Sequence, residues 1–280
     1  MKVKIARLSG FCFGVRRAVD LALAEAQKAG HRAIFTDGPL IHNPQAVEML
    51  RSQGVLPLKE TKGDIYGTII IRSHGISPQR RQEIEKTNAK ILDATCPKVK
   101  KVQSIIDIHA KNDYCIVIIG DAGHAEVRGL LGFAGKKGLV IQNEDELIKI
   151  PSDKKVCVVA QTTQNREDFI DLTKKISARF KGVKIFDTIC DANRKRQEEL
   201  RSLCHRVDAI IVVGGRESGN TKRLVEIAKS SGIPTYFGES SGDFNSSILK
   251  SYKAIGIIGG ASTPDWVLND VVNKLENAEN

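Results

Sequence analysis

The sequence predicts an α/β fold of three pseudo-threefold-related units, each with a small parallel sheet, around a common centre. Three observations predict it. Short β-rich runs, among them VCVVA (156–160), AIIVVGG (209–215) and AIGIIGG (254–260), each lead through a polar loop into a stretch of helical period. The chain also repeats itself. ILDATCPKVKKVQ (91–103) matches IFDTICDANRKRQ (185–197), and VIIGDAGHAEVRGL (117–130) matches IVVGGRESGNTKRL (211–224); position 96 maps to 190 and 120 to 214, the same shift of 94. A weaker copy lies upstream. RLSGFCFGVRRAVD (7–20) and IFTDGPLIHNPQAV (34–47) map 12 to 96 and 42 to 124, shifts of 84 and 82.

The elements follow in order. Val15, Ala18, Val19, Ala22 and Ala26 share one face of a helix over 14–30, with Gly30 suited to the position just past its end. Asn43-Pro44, Ser77-Pro78 and Thr263-Pro264 each place a capping residue before a proline at a first helical position. A third loop type recurs as IRSHGIS (71–77), AQTTQNR (160–166) and GGASTPD (259–265). Length alone, 280 residues, suggests about two domains. The repeat makes three: 1–96 with Cys12 and the His42 and His74 loops, 97–190 with the His124 and Glu126 loop, and 191–280 with the Ser218, Asn220 and Ser262 loops and a C-terminal helix. Ligands of open parallel sheets bind beyond the carboxyl ends of the strands, where these loops fall.

Composition excludes several classes. Apolar residues are 41% and charged residues 27%, an ordinary globular balance. Six cysteines are too few for a disulfide scaffold in a chain this long. No apolar run approaches the ~18 residues of a membrane span, and MKVKIARLSG has no apolar core for a signal peptide. A cytoplasmic protein with reduced thiols and no membrane partner is expected. Lys and Arg exceed Asp and Glu by 43 to 33, a net +10. That balance permits nucleic-acid binding, but aromatics are 5%, no zinc-finger or RNA-recognition signature occurs and the basic residues are spread over many helices, so no nucleic-acid partner is expected. There is no phosphate-binding GxxxxGK[ST] loop and no GxGxxG after a strand. His124-Ala125-Glu126 lacks the Pro-Cys-x-x-Cys that accompanies His-x-Glu in zinc deaminases.

Cys12, Cys96 and Cys190 hold equivalent positions in the repeat, between a strand and a basic helix start. A helix N-terminus and cationic neighbours favour the thiolate, a soft ligand for iron–sulfur clusters or zinc. Structural zinc needs a fourth protein ligand and commonly a short Cys-x₂-Cys knuckle, which is absent. An iron–sulfur cluster tolerates long spacings, and three thiolates can leave one iron of a [4Fe–4S] cluster open. The competing reading is three unrelated buried thiols. Cys115 and Cys157 lie in apolar strands and Cys204 on a helix, which suits core thiols.

His42, His74 and His124 each sit in a recurrent loop, and Thr162, Ser218, Asn220 and Ser262 occupy corresponding loops. Imidazoles, hydroxyls and amides beside helix N-termini suit a phosphate or diphosphate; singly, Ser and Asn there are as often plain helix caps. Glu126 is a carboxylate two residues after His124 in one of these loops. It is placed to deliver a proton to a leaving hydroxyl, or simply to complement a helix dipole.

GFCFGVRRAV, LIHNP, SHGIS, DATCP, GHAEV, QTT, RESGN and GGASTPDW, collinear from about residue 8 to 269, resemble the LytB/IspH family of 4-hydroxy-3-methylbut-2-enyl diphosphate reductases. The resemblance implies three α/β domains around a central [4Fe–4S] cluster with an open apical iron, held by Cys12, Cys96 and Cys190. It implies reductive dehydroxylation of an allylic diphosphate to isopentenyl and dimethylallyl diphosphates, the last step of the non-mevalonate pathway. Glu126, His124 and Thr162 would support protonation; His42, His74, His124, Thr162, Ser218, Asn220 and Ser262 would hold the diphosphate, with Ser73, Gln161 and Thr163 beside them. An acidic electron donor such as a ferredoxin or flavodoxin would suit the +10 charge. The chain departs from the family pattern at Asn193, where Thr is common, and at Gly219, where Ser is usual. Two other classes stay open on the residues alone: an iron–sulfur hydro-lyase without net redox chemistry, and a non-catalytic iron–sulfur sensor.

Overall fold

The strands run in chain order β1 (Lys2–Ile5), β2 (Ile34–Asp37), β3 (Val55–Leu58), β4 (Thr68–Ile71), β5 (Lys90–Asp93), β6 (Cys115–Ile119), β7 (Gly138–Ile141), β8 (Val156–Ala160), β9 (Lys184–Phe186), β10 (Ala209–Val213), β11 (Thr235–Gly238) and β12 (Ala254–Gly259). The helices are α1 (Phe13–Ala29), α2 (Pro44–Ser52), α3 (Pro78–Glu85), α4 (Pro97–Lys111), α5 (Ala125–Ala134), α6 (Arg166–Arg179), α7 (Asp191–Cys204), α8 (Gly219–Ser230), α9 (Ser246–Leu249) and α10 (Asp265–Asn277). This is a computed structural model, and it describes residues 2–30, 32–58, 65–249 and 251–277. Among these, no helix is long and apolar enough to cross a membrane.

The strands form three four-stranded sheets, β1-β12-β10-β11, β3-β2-β4-β5 and β7-β6-β8-β9, with every pairing parallel. The α/β class and the small parallel sheets are as expected. Read from one edge, the sheets share a single order. The edge strand (β1, β5 or β9) runs toward Cys12, Cys96 or Cys190. Its neighbour (β12, β4 or β8) leads into the third loop type, the next strand (β10, β2 or β6) into the second loop type, and β11, β3 or β7 closes the sheet.

This order differs from the segments 1–96, 97–190 and 191–280 at one place. β1 pairs with β12, Lys2 opposite Ala254 and Ile5 opposite Ile257, and not with the strands that follow it in the chain. The cysteine therefore ends each set of four strands instead of opening it, because the repeat is circularly shifted along the chain. Local sequence cannot show this, since a four-residue edge strand takes its register from its partner.

Two compact units are distinguished: Met1–Arg16 with Ile41–Leu50 and Asp191–Asn280, and Arg17–Leu40 with Arg51–Cys190. In the first, β10 and β12 are covered on both faces. Ala209, Ile211, Val213, Ile255 and Ile257 pack with Val267, Leu268, Val271 and Leu275 of α10, whereas Ile210, Val212 and Ile258 pack with Leu200, Leu203, Leu224 and Ile227 of α7 and α8. In the second, Val117, Ile119, Val156 and Val158 face Phe169, Leu172 and Ile176 of α6, and Ile116, Ile118, Cys157 and Val159 face α4 and α5. Burial on both faces is why these strands read as unbroken apolar runs without alternation.

The caps follow the sequence with one exception. Gly30 takes φ +59° directly after α1, a left-handed position that glycine adopts without a Cβ penalty. Asn43 Oδ1 accepts the Ala46 N–H at 2.9 Å, and Ser77 Oγ accepts the Arg80 N–H at 3.1 Å. Thr263 does not cap. Its hydroxyl is buried and donates to the Val213 carbonyl at 2.8 Å, and α10 starts one residue later than expected, at Asp265. The Val213 carbonyl at the end of β10, which also accepts the Gly260 N–H at 2.9 Å, competes for the same hydroxyl and wins.

Candidate active site

The three recurrent cysteines share one backbone bond. The amide of Cys12 donates to the Ala261 carbonyl at 3.0 Å, that of Cys96 to Ser73 at 2.9 Å and that of Cys190 to Thr162 at 2.9 Å. Each acceptor is the third residue of its loop, GGASTPD, IRSHGIS or AQTTQNR. Each cysteine directly precedes a helix, α1, α4 or α7, where the first-turn N–H groups favour negative charge. The aspartate three residues before Cys96 and Cys190 has a local reason. Asp93 accepts the Thr95 N–H at 2.9 Å and Asp187 the Ile189 N–H at 3.2 Å, a side-chain turn that aims the chain at the cysteine.

The six thiols divide as their settings suggested. Cys12, Cys96 and Cys190 are partly exposed; Cys115, Cys157 and Cys204 are buried. Burial pushes the Cys157 thiol up to about 12 and raises those of Cys115 and Cys204, so these three are core groups held in the neutral form.

In the unit of residues 51–190, the structure brings Glu126, Thr162, His124 and His74 together. Glu126 is the second residue of α5 and only 2% exposed. Its Oε1 accepts the Thr162 N–H and its Oε2 the Thr162 hydroxyl, both at 2.7 Å. Burial pushes the Glu126 carboxyl up to about 7; the two Thr162 bonds oppose the rise and Asp121 adds to it. Desolvation dominates because two donors do not replace the lost water shell. The Glu126 N–H donates to Nδ1 of His124, the N-cap of α5, at 3.2 Å. A backbone N–H can only donate, so Nδ1 keeps its lone pair and Nε2 carries the proton of the neutral ring. The His74 ring stands edge-on to that of His124, centroids 5.6 Å apart.

In the other unit, Ser218, Asn220, Ser262 and the backbone of His42 meet. Ser262 Oγ donates to the His42 carbonyl at 3.1 Å and lies 3.4 Å from Ser218 Oγ. Ser218 also caps α8, accepting the Thr221 N–H at 3.3 Å, so the cap reading holds beside any ligand role. Asn220 Oδ1 accepts the Ala261 N–H at 2.7 Å. Gly215 is required here, since a Cβ on it would fall 2.3 Å from the His42 carbonyl oxygen.

Two supporting residues had little signal in the sequence. Gln161 is wholly buried; its Oε1 accepts the Asp121 N–H and its Nε2 donates to Thr163 Oγ1, both at 2.9 Å, which ties the loop before His124 to that of Thr162. Asn193, marked only as a departure, accepts at 3.1 Å from Nδ2 of Asn220. The carbonyls that receive the cysteine amides had no signal at all, since any residue supplies one.

Known proteins resemble the chain over its full length. The family model described as LytB protein matches residues 3–276. A 4-hydroxy-3-methylbut-2-enyl diphosphate reductase of Alkaliphilus oremlandii (strain OhILAs) is 40% identical over 99% of this chain and 100% of its own length. The enzyme of that name from Aquifex aeolicus (strain VF5) is 39% identical, covering 97% and 95%. Among solved structures, the E-1-hydroxy-2-methyl-but-2-enyl-4-diphosphate reductase of Plasmodium falciparum superposes with a TM-score of 0.91 at 30% identity, over 97% of this chain and 87% of that one. A second, an (E)-4-hydroxy-3-methyl-but-2-enyl diphosphate reductase titled the terminal enzyme of the non-mevalonate pathway, gives 0.71 at 38% identity, over 99% and 100%. With the matching model spanning nearly every residue and relatives this similar end to end, the chain belongs to the LytB family.

Proposed function

We propose that this chain converts (E)-4-hydroxy-3-methylbut-2-enyl diphosphate to isopentenyl and dimethylallyl diphosphates by reductive dehydroxylation, the last step of the non-mevalonate isoprenoid pathway. The observation that carries the reading is the buried Glu126, whose carboxyl is pushed up to about 7 and is held by the N–H and hydroxyl of Thr162. The reaction consumes two electrons and two protons; one proton leaves with the hydroxyl as water and the other ends on carbon.

The donor set fits an iron–sulfur cluster. Soft thiols, partly exposed and placed at helix N-termini, are offered by Cys12, Cys96 and Cys190, whereas the other three cysteines are sealed in hydrophobic cores. These three would hold a [4Fe–4S] cluster with one iron open. When bound, it supplies low-potential electrons and a Lewis-acidic iron.

The chain's own groups do the rest. Glu126, half protonated near pH 7, is matched to general-acid work. The Thr162 hydroxyl, 2.7 Å from Oε2, can accept as well as donate, so the same contact passes a proton outward. His124 presents an Nε2–H donor because its Nδ1 is engaged. His42, His74, His124, Thr162, Ser218, Asn220 and Ser262 hold the diphosphate through imidazole, hydroxyl and amide donors. The electron donor in this reading is an acidic carrier protein, ferredoxin or flavodoxin, drawn to a basic chain.

Anaerobic protein given the allylic diphosphate should consume two reducing equivalents per five-carbon diphosphate released. Turnover without reductant would mark a hydro-lyase, and no turnover of any kind would remove the enzyme reading. Glu126→Gln should keep full iron content and lose about 10²- to 10⁴-fold in rate.

A further inference from the structure

We propose that the aromatic surface beside Cys12, formed by the exposed Phe13 and Trp266 with the half-buried Phe11 and bordered by Arg16, in a cationic segment that also holds Arg7, is the docking site for an acidic electron-carrier protein. The proposal rests on the reductase reading above, because it names where the carrier required by that reading binds.

The surface is unusual for its position. Phe13 is 75% exposed and Trp266 43%, and Ile5 and Leu8 are also exposed large apolar residues within positions 5–13. Large apolar side chains are ordinarily buried, so this concentration of exposed ones within a few residues of Cys12, with Trp266 against Phe11, marks an interaction site more than a packing accident. Two of the aromatics, Phe11 and Trp266, are held in place. The Phe11 and Trp266 rings meet edge to face with centroids 6.2 Å apart, the Arg16 guanidinium lies 5.9 Å from the Phe11 centroid, and Arg16 also pairs with Asp265 at 3.5 Å. A partner would meet a largely preformed patch and lose little side-chain entropy on docking.

The repeat supplies a control within the same chain. Cys12 is flanked by Phe11 and Phe13, whereas Cys96 is flanked by Thr95 and Pro97 and Cys190 by Ile189 and Asp191. Thr95 and Ile189 are buried. Equivalent backbone at the three loops therefore does not demand aromatics; only the Cys12 loop carries them.

Charge selects the occupant. Residues 2–16 contain Lys2, Lys4, Arg7 and Arg16 and no carboxylate. Of the acids that approach this segment from other elements, Asp265 is taken up by Arg16, and Glu199 accepts the backbone N–H groups of Arg7 and Leu8 at 2.6 and 2.8 Å. An aromatic surface in a segment with cations and no carboxylate of its own suits a small, transient interface steered by charge, and so an acidic partner.

The test uses holoenzyme and an oxidised acidic flavodoxin, with Kd from calorimetry at several salt concentrations. Phe13→Ser should weaken binding about tenfold or more. Arg7→Glu should weaken it and flatten its salt dependence. Turnover driven by dithionite-reduced methyl viologen, too small to need the surface, should stay within twofold of wild type in both variants. No flavodoxin binding by the wild type, Kd values unchanged in both variants, or self-association of the chain through this face that flavodoxin cannot displace would each overturn the proposal. Failure of the wild type to turn over with methyl viologen would overturn the reductase reading instead, while the Kd comparison still decides the docking site.

Discussion

Thr162 gives both of its donors to one carboxyl group: its N–H meets Oε1 of Glu126 and its hydroxyl meets Oε2, each at 2.7 Å. The carbonyl of the same residue accepts the Cys190 amide, so one loop residue fixes both the acid and a cysteine loop. The acid is thereby oriented without being ionised, because burial outweighs the two donors and leaves it up at about 7.

That balance predicts a pH-dependent stability. A carboxyl of ordinary value 4.5 raised to about 7 binds its proton more tightly in the folded chain than in the unfolded one. Stability is then unpenalised below about 4.5 and falls as pH rises to 7, because ionisation must occur in a desolvated site. The full penalty is of the order of 3 kcal/mol. Glu126→Gln keeps an acceptor for the Thr162 N–H and an amide for the Thr162 oxygen but cannot ionise. Denaturation midpoints of variant minus wild type should therefore increase from pH 5 to pH 8; a constant difference would show that Glu126 is not raised.

Thr162→Val removes the hydroxyl and leaves the backbone N–H in place. The lost bond favoured the ionised form, so the Glu126 pKa should rise further and the alkaline limb of the rate profile should move to higher pH. The rate at neutral pH should fall about tenfold or more where the hydroxyl relays the proton. Thr162→Ser restores an oxygen and should recover both the limb and the rate. Activity kept in Val and lost in Ser would instead indicate a packing role for the methyl group and remove the hydroxyl from the relay.

How much of this was legible in the sequence depended on which atoms carry the signal. The cysteine loops were legible because side-chain identity recurs at a fixed shift, 96 to 190, with an aspartate three residues ahead. The place of β1 was not, because its partner β12 lies some 250 residues away and an edge strand of four residues carries no register of its own. Glu126 stood out as a carboxylate two residues after His124, but its burial did not: an acid in the first turn of a helix reads the same exposed or sealed. The Ala261, Ser73 and Thr162 carbonyls left no trace, since backbone acceptors have no residue type.

The division of the cysteines yields a direct assay. Cys12→Ser, Cys96→Ser and Cys190→Ser should each lose most of the iron and sulfide on anaerobic reconstitution, because hydroxyl is a hard and weakly acidic replacement for a thiolate. Cys157→Ala should keep both. Cys157 is wholly buried between β-strand neighbours, so its truncation costs packing, about 1–2 kcal/mol, and no ligand. Iron retained in any of the first three, with a normal visible spectrum, would remove that cysteine from the ligand set.

Asn193 offers the sharpest separation of binding from chemistry. Asn220 has its Oδ1 on the Ala261 N–H at 2.7 Å and its Nδ2 on Asn193 Oδ1 at 3.1 Å, and Ala261 in turn accepts the Cys12 amide. Asn193 thus orients the amide of Asn220. Asn193→Leu leaves the buried Nδ2 of Asn220 without this acceptor, a loss of about 1–3 kcal/mol that frees the amide to turn. KM for the diphosphate should rise about 5- to 100-fold with kcat nearly unchanged, because Glu126 and Thr162 lie on other elements and keep their bonds. Asn193→Thr, which keeps an oxygen, should recover most of the lost affinity. A matched fall in kcat with KM unmoved would place Asn193 in the chemical step and refute its role in holding the substrate through Asn220.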